Sequence, residues 1–312
     1  MGERQLEPWK VVAGYAAFSA VAFLLFFYLT FPYQALRERI EAEAAAQGYD
    51  VQMKGMGPGL FGITARKVSV RRRPTTGEPP NGEPLLVDSV AFRPALLPVG
   101  LAFRASLLDG TVSGSIGGIR DLDIDMTASA LNLSAGNMKA FSGLDLVGKL
   151  DGRLSLEVPR ISPPAVGSGP RGAAEPDFAQ ASGVLALNGD DVAINGGTVT
   201  VPMQGQPTPL DLPKIALGDV DAKIAFDKGQ GKVESLTAQS ADIDLQGSGT
   251  VKLARRLEFS ELKLELRFKP DPEFQKRLGM IGAGLSMLQA DRQNPQYRLA
   301  RVNGFLGRPS FR

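Results

Sequence analysis

Chemistry in a protein needs groups that move protons, bind metals or attack substrates, and this sequence is short of them. It has no histidine and no cysteine. The commonest general base near neutral pH and the commonest metal ligand are therefore missing. Thiolate nucleophiles, disulfides and cysteine-type zinc sites are excluded outright. Three local patterns remain. Gly167, Gly169 and Gly172 satisfy G-x-G-x-x-G. A dinucleotide fingerprint needs a strand before it and a helix after it, whereas this copy lies in a Pro-rich stretch with Pro170 inside it. Asp121, Asp123 and Asp125 share a strand face, but the loop glycine and distal Glu of a calcium loop are absent, so a solvated face is the better reading. Arg71, Arg72 and Arg73 form a short basic run that reads as a solvated strand end, with lipid headgroups or an acidic partner as the functional alternative. No Ser–Lys dyad, paired acids or phosphate loop is found. No catalytic, cofactor or metal residue is assigned, and the chain is not expected to be an enzyme.

The elements behind these residues begin with Val11–Phe31, an uncharged run. As a helix rising about 1.5 Å per residue it spans roughly 30 Å, the thickness of a bilayer's hydrocarbon core. Trp9 and Tyr33 flank it where amphipathic rings favour the headgroups. A cleaved signal peptide is the alternative, but no small-x-small site follows. A buried core helix is disfavoured because the run lacks a polar face. The expectation is a retained single-pass anchor at 11–31 after a short cytoplasmic tail, 1–10. The remainder, 32–312, is then expected to be exported. Flanking Lys and Arg differ too little for the positive-inside rule to fix orientation strongly; the shortness of the tail decides it.

The formal charge is +2 over 312 residues, so nothing argues for nucleic acid. A cysteine-free exported domain suits a bacterial periplasm. With 36 Gly and 22 Pro, the composition points to many short strands joined by turns.

Pro32 to Gly48 reads as a juxtamembrane helix with a narrow stripe of Tyr33, Leu36, Ile40 and Ala44. It lacks the basic face of a membrane-surface helix. From Tyr49 the period becomes two. Gly55–Gly59 reads as a turn. Leu60–Arg71, Pro84–Pro94, Leu101–Leu107, Leu122–Met126 and Leu154–Val158 read as strands. The segment 159–178 reads as a long loop or linker. Strand signals resume at Gly183–Leu187, Val192–Asn195, Thr198–Val201, Leu212–Leu217, Val220–Phe226 and Asp242–Leu253. In 262–269, Leu262, Leu264, Leu266 and Phe268 oppose Lys263, Glu265, Arg267 and Lys269, giving one dry and one wet face. Asp271 then caps a helix expected over 271–291, with Pro272 at its first turn and a stripe of Phe274, Leu278, Ile281, Leu285 and Leu288. That stripe is the favoured cover for the dry face, because consecutive elements usually pack together; a lipid groove is the alternative. A last strand covers Tyr297–Phe305. Gly-Thr-Val recurs at 110–112, 197–199 and 249–251 at unequal intervals, which suggests similar hairpins laid side by side. The expected fold is mainly β: an elongated, mostly antiparallel curved sheet over 49–312, with the anchor and two amphipathic helices.

The order of features carries a resemblance. The anchor is followed by Phe31-Pro32-Tyr33, Ala35-Leu36 and Ile40, then Gly48 and a strand. Gly57-Pro58-Gly59-Leu60, Lys67-Val68-Ser69-Val70, Asp242–Gly249 and Gly304–Pro309 follow. This resembles the type II secretion system protein N family, itself similar at its N-terminus to AsmA-like proteins. The resemblance covers most of the chain through short motifs, with 159–178 as an insertion. It implies a bacterial inner-membrane protein with a β-rich periplasmic domain, no catalytic residues, and an accessory role in protein export beside other secretion or envelope proteins. The alternative it implies is an AsmA-like protein shielding or transferring lipid along an apolar groove between the membranes.

Overall fold

The structure is a computed structural model that describes residues 8–46, 48–59, 62–72, 83–96, 99–142, 144–161, 174–203, 206–278, 282, 288–306 and 308–311. Two helices open the chain, α1 (Pro8–Thr30) and α2 (Tyr33–Ala46). Seven strands follow: β1 (Tyr49–Gly59), β2 (Gly62–Arg72), β3 (Leu85–Leu96), β4 (Val99–Leu107), β5 (Gly110–Gly117), β6 (Leu122–Asn132) and β7 (Leu144–Val158). A short helix α3 (Met138–Ser142) precedes β7. Then come β8 (Arg160–Ile161), β9 (Glu175–Pro176), a 3₁₀ turn at Phe178–Gln180, and β10 (Ser182–Met203). The last part holds β11 (Gln206–Leu212), β12 (Ile215–Asp227), β13 (Gln230–Gln239), β14 (Ile243–Lys252), β15 (Glu261–Pro270), α4 (Pro272–Arg277), β16 (Arg298–Phe305) and β17 (Arg308–Phe311).

Fifteen strands form one antiparallel sheet, laid almost wholly in chain order. The order runs β1 to β7, then β10, then β12 to β17, with β11 folded back on β10. Among the described residues β1 and β17 each pair on one side only, so the sheet is open. β8 and β9 form a separate two-stranded ribbon.

Cross-strand partners share a face, so the register shows where the apolar residues go. One row runs Pro58, Ile63, Phe92, Phe103, Gly114, Met126, Leu154, Leu185, Ile224 and Val233, across ten neighbouring strands. A second runs from Leu101 through Ile116, Ile124 and Leu156 to Phe226, Val251 and Leu262. The opposite face carries Thr64, Arg104, Asp125, Arg153, Asp221, Thr237, Gln246 and Lys263. The sheet thus has one apolar and one polar face from end to end. Gly114 serves this directly: a Cβ there would lie 2.9 Å from the Phe103 ring that leans over it.

Side chains alternate strictly, so any odd residue would throw the rest of a strand out of phase. Four sites absorb one. Ala65 and Val68, Ala128 and Leu131, Gly189 and Val192, and Val233 and Leu236 are each three apart yet stay on the apolar side. Lys67 (φ 49°), Ala130 (φ 52°) and Asp191 (φ 50°) take left-handed backbone at three of them. The cost of that conformation is about 1 kcal/mol for a non-glycine residue. Such bulges also deepen local twist.

The described helices cover little of the apolar face. α2 packs Ile40 onto a cluster of Met53, Ala65, Val68 and Val87. α2 also latches the sheet edge: Met53 N–H donates to Glu41 Oε1 (3.1 Å), and Arg37 donates to Met53 O (3.5 Å). Arg37 and Glu41 pair with each other one helical turn apart. An exposed edge strand invites pairing with other chains, and this latch occupies the middle of β1. At the far end of β7, Phe178 and Ala181 join Val158, Val251 and Leu253 in a second cluster.

Several expectations change. Gly55–Gly59 is not a turn; it is the end of β1, with Pro58 opposite Ile63 and Gly59 opposite Gly62. The three short strands expected between Gly183 and Val201 are one 22-residue strand, because the bulge at 190–191 keeps it continuous. Leu212 and Ile215–Leu217 belong to different strands, β11 and β12. The second helix is described only as Pro272–Arg277, and 288–291 is not helical. Ile281 and Leu285 lie outside the described residues, as do Gly167, Gly169, Gly172 and Arg73. Among the described residues no helix is long and apolar enough to cross a membrane, so the span at 11–31 stays a proposal.

Replacing Ala130 by Gly should raise stability by about 0.5–1 kcal/mol, since glycine takes positive φ without the Cβ penalty. Denaturant unfolding of the two proteins measures it, and a loss of stability would show that the bulge geometry is wrong.

Candidate apolar ligand face

The apolar face is built by alternation and left largely uncovered. Leu154, Leu185, Ile224 and Leu264 are half-buried, screened by lateral neighbours rather than by a second layer. Strand spacing of about 4.8 Å makes the face roughly 60 Å long over fourteen strands, measured along the sheet. Leucines, isoleucines and phenylalanines on it offer contact to a chain-like apolar ligand, and no charged group interrupts the row from Pro58 to Val233.

Of the stripe expected to cover β15, the described residues Phe274 and Leu278 are buried, and Ile281 and Leu285 lie outside the described residues. Phe268, Phe274 and Leu278 are buried, while Leu262, Leu264, Leu266 and Leu288 stay half-buried. Asp271 caps α4 by accepting from the N–H groups of Glu273 (2.8 Å) and Phe274 (3.4 Å). Arg277 pairs with Asp242, whose other oxygen accepts from Ala216 N–H (2.9 Å). That ion pair ties α4 to the turn between β13 and β14.

The polar face gathers acids and amides, several of which are hydrogen-bonded to neighbours. Asp190, Asp219, Asp221 and Asp244 line a shallow hollow with Asn188 and Gln246. Asp221 accepts from Asn188 (3.0 Å) and from Ser235; Asp219 accepts from Asp191 N–H (3.4 Å). Tyr297 donates to Asp244 (2.6 Å). That hydrogen bond, then burial and the carboxylate charge, raise the Tyr297 phenol above its ordinary value. A second hollow is lined by Glu265, Arg267, Asp291 and Arg301, which form ion pairs with one another along its wall. Among the described residues no group of acids is placed to hold a metal. Asp123 and Asp125 lie on this polar face opposite Gly117 and Ser115, and Asp121 lies in the preceding turn. Arg71 and Arg72 end β2 at the edge beside Asp50 and Tyr49.

The two long edges differ. Tyr28 donates to Gly62 O (2.9 Å) and Tyr33 donates to Tyr28 O (2.6 Å), so the end of α1 is fixed to the start of β2. Along the same edge Val99, Leu101, Ile116 and Ile119 are exposed, and farther on Phe259 stacks edge-to-face on Phe305 (6.5 Å, 86°). The α2 latch and this apolar edge were missed in the sequence. The Arg37–Glu41 spacing was visible, but its target, the backbone of Met53, was not.

The fold and face define a long open antiparallel sheet with a single apolar side. No protein-family model, curated protein or solved structure matches the chain.

An uncovered face makes Leu264→Ala cheap, about 1 kcal/mol, against about 3–5 kcal/mol for Phe274→Ala in its packed site. Equal losses in thermal melts would mean Leu264 is core. The Tyr297 bond gives a signed pH effect. A raised phenol stabilises the fold below the ordinary tyrosine value, and the contribution is lost as pH rises through the folded value. The stability gap between wild type and Tyr297→Phe should therefore shrink at alkaline pH; a constant gap would contradict the bond.

Proposed function

We propose that this is a bacterial envelope protein, anchored in the inner membrane by 11–31, whose sheet accommodates lipid acyl chains along its apolar face. The observation that carries the reading is the phase of apolar side chains kept from β1 to β15, with little covering layer among the described residues. A soluble protein exposing such a face would be prone to association, so a ligand or partner is called for. Parallel hydrocarbon chains fit best: they need no hydrogen bonds, and the row from Pro58 to Val233 supplies none. Each buried methylene contributes about 0.8 kcal/mol, so even partial seating of a chain gives useful affinity.

The anchor is supported by the 23-residue helix α1, whose sequence from Val11 carries no charge, and by the exposure of Tyr15, Phe18, Val21, Phe23, Leu25 and Phe26. Apolar side chains so placed belong in hydrocarbon. The domain on the other side would then be periplasmic. An accessory role in type II secretion rests on the sequence resemblance; the polar face, rich in paired charges, is the surface that would meet other envelope proteins. The reading needs neither catalysis nor a cofactor.

The full chain, purified from bacterial membranes in mild detergent, should release phospholipid on extraction and mass spectrometry. Leu154→Asp combined with Leu185→Asp should lower the recovery about fivefold or more while circular dichroism stays strand-dominated, because a charge in the row opposes acyl contact. Val184→Asp, on the polar face, should leave recovery unchanged. Equal recovery from all three proteins would contradict the proposal.

A further inference from the structure

Exposed apolar residues at the start of β4, at the end of β5 and in the β5–β6 turn form a compact patch. Leu101 and Ile116 are direct cross-strand partners, and Gly118 N–H donates to Val99 O (3.0 Å), which ties the start of β4 to the β5–β6 turn. Val99 is 59% exposed and Ile119 83%. Ile119 sits at the tip of its turn, followed by Arg120. The patch continues into the apolar face through Leu101, Ile116 and Ile124. It also lies on the edge to which Tyr28 fixes the end of α1. Counting strand steps of about 4.8 Å, Val99 and Ile119 are roughly 10 and 17 Å along the sheet from Gly62, to which Tyr28 is bonded.

We infer that Val99, Leu101, Ile116 and Ile119 form a rim seated in the interfacial zone of the bilayer that holds α1, so that the apolar face opens onto that membrane. The inference rests on the anchor reading. A bilayer, rather than a protein, is the occupant because the anchor's own end is fixed on the same edge close by. The patch also has the make-up of an interfacial insertion: apolar tips with Arg120 next to Ile119, Asp121 following at the base of the turn. Arg120 would lie among phosphates while Ile119 enters the acyl boundary. Such a rim gives an acyl chain a path from the leaflet to the Leu101–Ile116–Ile124 row without crossing water.

The chain has no cysteine, so one introduced thiol can be labelled alone. Full-length Ile119→Cys, Leu101→Cys, Phe18→Cys and Ser129→Cys proteins, each carrying an environment-sensitive fluorophore, are reconstituted into phosphatidylethanolamine–phosphatidylglycerol vesicles. Nitroxide-labelled phosphatidylcholine is the quencher, and circular dichroism checks each fold. Ser129 lies toward the opposite edge and reports water. Labels at 119 and 101 should be quenched roughly twofold or more over the Ser129 label, most strongly by shallow nitroxides, as insertion of about 5–10 Å requires. The Phe18 label should be quenched by deep nitroxides. Quenching at Phe18 with none above the Ser129 level at 119 and 101 overturns the rim and leaves the anchor. Quenching at none of the sites overturns both.

Discussion

The structure depends on one constraint: every strand must keep its apolar residues in phase with both neighbours. The backbone ladder fixes register, and the two-residue period then decides which face a side chain occupies. A slip of one residue in any strand would turn its leucines into the polar face and leave a charged stripe on the other. The chain guards against this with bulges. At Lys67, Ala130 and Asp191 a left-handed residue takes up one extra position, and the apolar residues on each side return to the same face. Strain is accepted locally so that phase persists over the full sheet.

That constraint explains why the molecule has so little core in the ordinary sense. In a two-layer domain the apolar side of a sheet is buried by helices or another sheet. Here, among the described residues, Ile40 of α2 covers one end, Phe178 and Ala181 cover part of a margin, and Phe268 and Phe274 are buried. Between them the face is held by side-by-side contact of neighbours. Stability comes from a very long hydrogen-bonded ladder and lateral packing, and among the described residues much of the apolar face stays open. The edges are treated differently: β1 has its central backbone groups occupied by Glu41 and Arg37, which discourages edge-to-edge association.

Much of the fold was legible. The alternation in 262–269 marked β15 and its faces correctly, and the period change at Tyr49 marked the start of the sheet. What escaped was the behaviour of irregular positions. Gly-Met-Gly-Pro-Gly looks like a turn, yet its residues pair with β2 in an edge strand, where a proline is tolerated. β10 looked like separate strands because Gly189-Asp190-Asp191 resembles a turn, whereas it is a bulge within one long strand. The helix after β15 carried a convincing stripe, but periodicity alone could not show how far along β15 it would lie. Phe268 is buried and Leu264 is not, a distinction set by tertiary placement. On the polar face, Asp221 accepts from Asn188 and Asp244 from Tyr297, pairings set by cross-strand register that the sequence alone does not show.

The phase and the ligand can be tested together within β10. A photoreactive benzoylphenylalanine is placed in turn at Leu185, Ala186, Leu187, Asn188 and Val192 of the full-length protein in bacterial membranes, and adducts are identified by mass spectrometry. The account predicts phospholipid adducts at Leu185, Leu187 and Val192 and none at Ala186 or Asn188, the bulge at 190–191 restoring the apolar side at Val192. Lipid adducts that ignore this alternation, or none at any of the five positions, would contradict it.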